Sequence, residues 1–163
     1  MYCHACADGA IELEDLVIED GLLKECRESV TELTIPEGVT KVDSEAFKRC
    51  SLLKSVTIPG SVTAIENDTF SDCKSLESVT ITEGVTEIGM RVFRGCISLA
   101  SITIPVSVTT IGRRAFRGCE ELYEINFGGT KEQWEAVEKD ENWDEDIPAS
   151  EVHCTNGDTG IDD

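Results

Sequence analysis

A chain of 163 residues with 40% apolar and 6% aromatic side chains is long enough for one continuous core. Fourteen basic against 33 acidic residues give a net charge of −19, which disfavours nucleic acid and anionic membrane surfaces, since both select Lys and Arg. No stretch approaches the roughly 18–20 consecutive apolar residues of a spanning helix, so membrane insertion is not expected.

The first ten residues, Met1 to Ala10, lack the basic start and apolar run of a signal peptide. A cytoplasmic location is therefore expected for the sequence as written, with the cell surface or secretion expected if a leader was trimmed. Cys3-His4-Ala5-Cys6 carries two thiols at zinc-chelating spacing, but a structural site needs two further ligands. Cys26 is the nearest spare thiol, and His153-Cys154 belong to the other end of the chain. Free thiols, a disulfide or a metal shared between chains stay open for Cys3 and Cys6, and no metal or cofactor is assigned. Next, Asp20-Gly21 between Leu16-Val17-Ile18 and Leu22-Leu23 is a two-residue hairpin signal. It closes an N-terminal flank, residues 1–26, of charge −6, read as one cap of the molecule.

From there the chain repeats itself. Phe47, Phe70, Phe93 and Phe116 are 23 residues apart, and so are Cys50, Cys73, Cys96 and Cys119. Ile35, Ile58, Ile81 and Ile104 keep the same step, as do Val39, Val62, Val85 and Val108. Four full copies occupy 30–52, 53–75, 76–98 and 99–121, and a fifth opens with Leu122, Ile125 and Phe127. A period of 23 with Leu53-x-x-Val56-x-Ile58 fits the strand of a leucine-rich repeat. Val56 and Ile58 alternate with Ser55 and Thr57, the signature of a strand buried on one face. Pro59 ends it, because proline has no amide to donate. Residues 66–73 are predicted to form one or two helical turns that drop Phe70 and Cys73 into the core. The expected fold is an α/β solenoid: a right-handed coil with one strand column, short helical turns on the other side, and capped ends.

Units such as Ser55-Val-Thr-Ile-Pro-Gly-Ser-Val-Thr-Ala-Ile-Glu-Asn-Asp-Thr-Phe-Ser-Asp-Cys73 resemble the BspA-like leucine-rich repeats over residues 27–127. The flanks are also similar to that family's ends, through Val17 to Leu23 at the start and Gly129-Thr130, Trp134, Trp143 and Cys154 to Asp158 at the finish. The resemblance implies an adhesion or protein-interaction role, often at bacterial or protist surfaces, and no enzyme activity.

The last segment, 128–163, carries a charge of −10. Thr130-x-x-Gln133 is a capping box, predicting a helix to about Lys139 whose Trp134 and Val137 seal the final coil. Residues 156–163 are expected to fray. Between them, residues 140–151 place oxygen ligands with the spacing of a calcium loop, but Glu145 stands where the turn demands glycine. A solvated acidic loop is the favoured reading there.

Catalysis finds no constellation: His4 and His153 lie in opposite flanks, and no nucleophile–base pair assembles around them. The repeat cysteines read as buried small hydrophobes. The outward strand positions, Glu32, Thr34, Ser55, Thr57, Ser78, Thr80, Ser101, Thr103, Glu124 and Asn126, make a flat polar ladder on the face that solenoids use for recognition. Lys48, Arg49, Arg91, Arg94, Arg113, Arg114 and Arg117 form a basic ridge on the opposite side, read as a solvated turn. The expected function is a non-enzymatic interaction or adhesion module that binds a protein or glycan through the strand ladder. The alternative is an intracellular acidic inhibitor or immunity-type protein that neutralises a basic partner.

Overall fold

The structure, a computed structural model, describes residues 16–26 and 29–161. Cys3, His4 and Cys6 lie outside the described residues. The chain winds into stacked rungs, each contributing one strand to a long sheet. In chain order the strands of that sheet are β3 (Glu32–Thr34), β5 (Ser55–Ile58), β7 (Ser78–Ile81), β9 (Ser101–Ile104), β11 (Glu124–Phe127), β13 (Glu151–Cys154) and β14 (Gly157–Gly160). They lie side by side in that order, all parallel except the closing β13–β14 hairpin.

A second wall was not anticipated. Val42, Ile65, Ile88 and Ile111 sit in two-residue strands, β4 (Lys41–Val42), β6 (Ala64–Ile65), β8 (Glu87–Ile88) and β10 (Thr110–Ile111). The chain thus has a second, narrower strand column where a single one was expected. At the start, the hairpin β1 (Leu16–Glu19) and β2 (Leu22–Cys26) covers this wall, with β2 parallel to β4. At the far end β12 (Glu138–Lys139) extends it from β10.

The helical turns expected over 66–73 are absent. Among the described residues the α-helix is a single five-residue segment, α1 (Lys131–Glu135), which stops short of Lys139. The reason is where the amides point. Phe47, Phe70, Phe93 and Phe116 donate their backbone N–H to the next rung, to the carbonyls of Thr69, Val92, Ala115 and Trp143 at 2.8–3.0 Å. Asp72, Gly95 and Gly118 do the same two residues later, to Arg94, Arg117 and Glu145. Only the amides between close local turns, such as Ser71 to Asp68 and Cys73 to Phe70. A helix would require every amide for itself, so bonding between rungs displaces it.

This corner needs left-handed backbone at two places per rung. One is filled by Glu45, Asp68, Arg91 and Arg114 with φ of 56–65°, the other by Arg49, Asp72, Gly95 and Gly118 with φ of 60–72°. The sequence 140–146 reproduces both, at Asn142 and Asp146. That acidic stretch is therefore one more rung of the solenoid rather than a free loop. Trp143 is buried there, its ring standing edge-on to Phe116 at 5.9 Å.

Inside, equivalent residues lie over one another. The Phe47, Phe70, Phe93 and Phe116 rings stack at centroid distances of 4.8, 5.6 and 5.5 Å, within 14° of parallel, and all four are fully buried. Cys73, Cys96 and Cys119 each direct Sγ–H at the carbonyl of the phenylalanine 26 residues earlier, at 2.9–3.2 Å. Burial pushes the Cys73 and Cys119 thiols up to about 12 and that of Cys96 well above its usual range. These are inert structural thiols, as the repeat suggested.

The capping box is present: Gln133 N–H donates to Thr130 Oγ1, and Gln133 Oε1 accepts from Thr130 N–H at 2.8 Å. Trp134 seals the last rung against Phe127 and Trp143, and Lys139 Nζ lies 4.6 Å above its ring. Residues 157–160 form β14, where fraying of a polar tail was expected. Four backbone partners along β13 supply what its side chains do not.

Three outcomes follow. Phe70→Ala, which opens the aromatic file, should cost about 3–5 kcal/mol, whereas the outward Thr57→Ala should cost less than about 0.5 kcal/mol in thermal or urea unfolding. Arg49→Gly, at a left-handed position without an ion pair, should raise stability by about 1 kcal/mol, and Gly118→Ala should lower it by a similar amount. An alkylating agent at pH of about 8 should leave Cys73, Cys96 and Cys119 unlabelled until denaturant is added, as peptide mass mapping would read.

Candidate interaction surface

Strand alternation sends Val56, Ile58, Val79, Ile81, Ile102 and Ile104 inward and their neighbours outward. All ten outward positions named from the sequence are exposed or half-buried. The register puts them in two rows. Glu32, Ser55, Ser78, Ser101 and Glu124 are successive partners across the sheet. Thr34, Thr57, Thr80, Thr103 and Asn126 are the other series. Neighbours within a row are about 4.8 Å apart and the rows about 6.5–7 Å apart.

How these hydroxyls are used separates this face from the rest of the molecule. On the narrower wall, Thr86 and Thr109 donate to the carbonyls of Thr63 and Thr86, at 3.1 and 3.2 Å. Thr82, Ser98 and Ser107 likewise bond the carbonyls of an adjacent rung. Those hydroxyls knit the solenoid. Among the described residues, Ser55, Thr57, Ser78, Thr80, Ser101 and Thr103 make no hydrogen bond through their side chains. The face thus offers a lattice of donors and acceptors with no internal duty. Both walls are rich in threonine, so sequence alone did not separate the two roles.

The threonine row continues further than the sequence suggested. Asn126 pairs in register with His153, and His153 with Asp158. His153 Nδ1 lies 2.9 Å from Asp158 Oδ1, and this contact raises the imidazole above its ordinary value, with Glu124 and Glu151 adding in the same direction. Beside it on β11, Asn126 Nδ2 donates to Glu124 Oε1 at 2.7 Å. The polar face therefore spans seven strands and ends in a charged corner. His153 lies in the terminal flank, yet Glu151-Val-His-Cys alternates like the other strands, and Asn156-Gly157 is a hairpin signal. Tyr123, just ahead of β11, is 63% exposed and adds the aromatic group that the rows lack.

The other candidates are engaged by the fold in part. Arg91 pairs with Asp68 at 2.9 Å, and Glu145 meets both Arg114 and Arg117, at 3.1 and 3.3 Å. Lys48 pairs with Glu45. Four of the seven ridge residues are thus paired, and in the acidic stretch 140–151 the ridge meets Glu145 and, at 3.8 Å from Arg117, Asp146. Among the described residues no group of three or more His, Cys, Asp or Glu side chains could hold a metal ion, and no helix is long and apolar enough to cross a membrane.

Comparison with known proteins agrees with this architecture. No curated protein matches the chain. A leucine rich cell surface protein from Faecalibacterium prausnitzii A2-165 is similar in structure, with a TM-score of 0.67 and 30% identity over 74% of this chain and 33% of that one. A leucine-rich repeat protein from Bacteroides ovatus has a TM-score of 0.57 and 26% identity over 76% of this chain and 34% of that one. One from Eubacterium ventriosum shares the fold, with a TM-score of 0.65 at 24% identity over 82% of this chain and 36% of that one. The chain spans about a third of the length of these structures. The profile of the BspA type leucine rich repeat region matches residues 17–136 in six copies, and the chain belongs to that family.

Proposed function

We propose that this chain is a non-enzymatic interaction module that presents its seven-stranded face to a protein or glycan, in an adhesive role. The observation that carries the reading is the unused hydrogen-bonding capacity of the Ser and Thr rows, set beside Thr86 and Thr109 on the narrower wall, whose hydroxyls bond the preceding rung. Rigid rows of free hydroxyls, with Glu124 and Asn126 beyond them on β11, suit recognition by many shallow polar contacts, with water among them. Solenoids of stacked repeats commonly use such extended faces for binding. A structural relative described as a cell surface protein supports the adhesive role.

The reading is tested by capture from native lysate and from intact cell surfaces. Wild-type protein should retain a partner that the Thr57→Lys/Thr80→Lys/Thr103→Lys variant loses by at least about tenfold, because three long cations would cover the rows. An Arg94→Glu/Arg113→Glu variant on the turn side should retain it. The opposite pattern, with the turn-side variant losing the partner and the lysine variant keeping it, would move the site off the strand face.

A further inference from the structure

β14 is the outermost strand of the candidate face, anchored at its flanks by Asn156 on α1 and Ile161 against the core but by no buried side chain of its own. Its backbone is bonded to β13 on one edge only, and none of its four residues is buried. The other sheet strands each anchor at least one inward side chain in the core. A strand without buried residues belongs to the low-stability end of a structure, where local opening is easy. The cross-strand contact tying its side chains to β13 is His153 to Asp158.

We propose that His153 and Asp158 form a proton-operated latch on the last strand of the face: engaged when the imidazole is charged, released when it is neutral. Geometry carries the assignment. The two residues are register partners, so their side chains leave the same side of the hairpin, and Nδ1 sits 2.9 Å from the carboxylate. The surrounding charges reinforce it. Glu124 on β11 and Glu151 on β13 add negative potential at the imidazole. From α1, the nearby groups are Lys131, whose Nζ approaches Gly157, and Glu132, which accepts from Asn156 Nδ2 at 3.2 Å.

The direction of the pH dependence follows from the raised imidazole value in the folded chain. A cationic group favoured by folding gives its full stabilisation below the unfolded value of about 6.5, and loses it as pH rises through the higher folded value. The latch is therefore closed at mildly acidic pH and open at alkaline pH. Release would let β14 open a few-fold more often, and each opening uncovers the edge of β13 and shortens the polar face by one strand. That last consequence rests on the binding role proposed above, whereas the latch itself does not.

The test needs no partner. NMR titration of the full chain should show the His153 ring titrating above about 6.5 in wild type and nearer that value in Asp158→Asn. Hydrogen-exchange protection of the β14 amides, corrected for intrinsic rates, should fall about two- to five-fold through this titration in wild type. In His153→Gln it should stay low and flat. An unshifted His153 in wild type, or β14 protection that does not change with pH, would overturn the latch. So would an equal loss of protection in β5 and β7, since the effect would then be global. Loss of partner capture by the lysine variant reports on the binding face alone, so failure of either idea is separately visible.

Discussion

Each rung of this molecule is bonded to the next through its backbone at the strand column and the turn corner, and from β6 onward at the narrower wall as well. That bonding forces equivalent residues to lie over one another. A side chain that packs well against its own copy is then selected at each level, which is why phenylalanine stacks on phenylalanine and cysteine follows cysteine. The same rule shows where a link is missing. Thr82 and Gly128 donate to the carbonyls of Ile58 and Ile104, but Pro59 and Pro105 stand at the equivalent positions and cannot. The solenoid tolerates the gaps because the remaining columns keep each rung in register.

The stacking rule also explains why the corner is not helical. A helix satisfies its amides within one segment and would leave each rung tied to its neighbours through fewer bonds. With two left-handed residues per rung, four positions apart, every second amide crosses the gap instead. The conformational cost falls on Glu45, Asp68, Arg91, Arg114, Arg49 and Asp72, which occupy a region that disfavours side chains. Glycine relieves it at 95 and 118 only. Long charged side chains at the first of these positions recover part of the cost by pairing along the ridge, as Arg91 does with Asp68 and Arg114 with Glu145.

Much of this was legible in the residues. The 23-residue period gave the rung, alternation gave the inward and outward sides of the strands, and the capping box gave α1 its start. What misled was local. Residues 66–73 look like a helical turn because Phe70 and Cys73 are three apart, a spacing that successive β-turns share. The calcium-like spacing of 140–151 arose from a repeat stretched by the insertion of α1, with Asn142 and Asp146 in the left-handed positions. His153 was set aside because a charged terminal segment resembles a tail, and long-range pairing with β11 carries no short-range signal beyond its alternation. For the site itself, the ten outward residues were readable. Their free hydroxyls were not, since Thr57 and Thr86 differ only in which neighbouring carbonyl lies within reach.

The two ends of the stack need protection of their own. A stack of rungs presents an unpaired backbone edge and a bare apolar slice at each end, and either invites further stacking with another chain. Here each slice is covered by a different device. The β1–β2 hairpin lies across the first rung with Leu16 and Leu23 turned inward, and its outer residues include Glu19, Asp20 and Glu25. At the other end Trp134 and Trp143 plug the last phenylalanines, beneath an acidic rung running from Glu138 to Asp146. Both caps therefore carry the same sign of charge, and stacking two molecules end to end would bring like charges together. The middle of the chain, at a net −3, is left comparatively neutral. Confining repulsion to the caps protects the open edges while leaving the hydroxyl face uncharged along most of its length, where a polar partner could approach without meeting it.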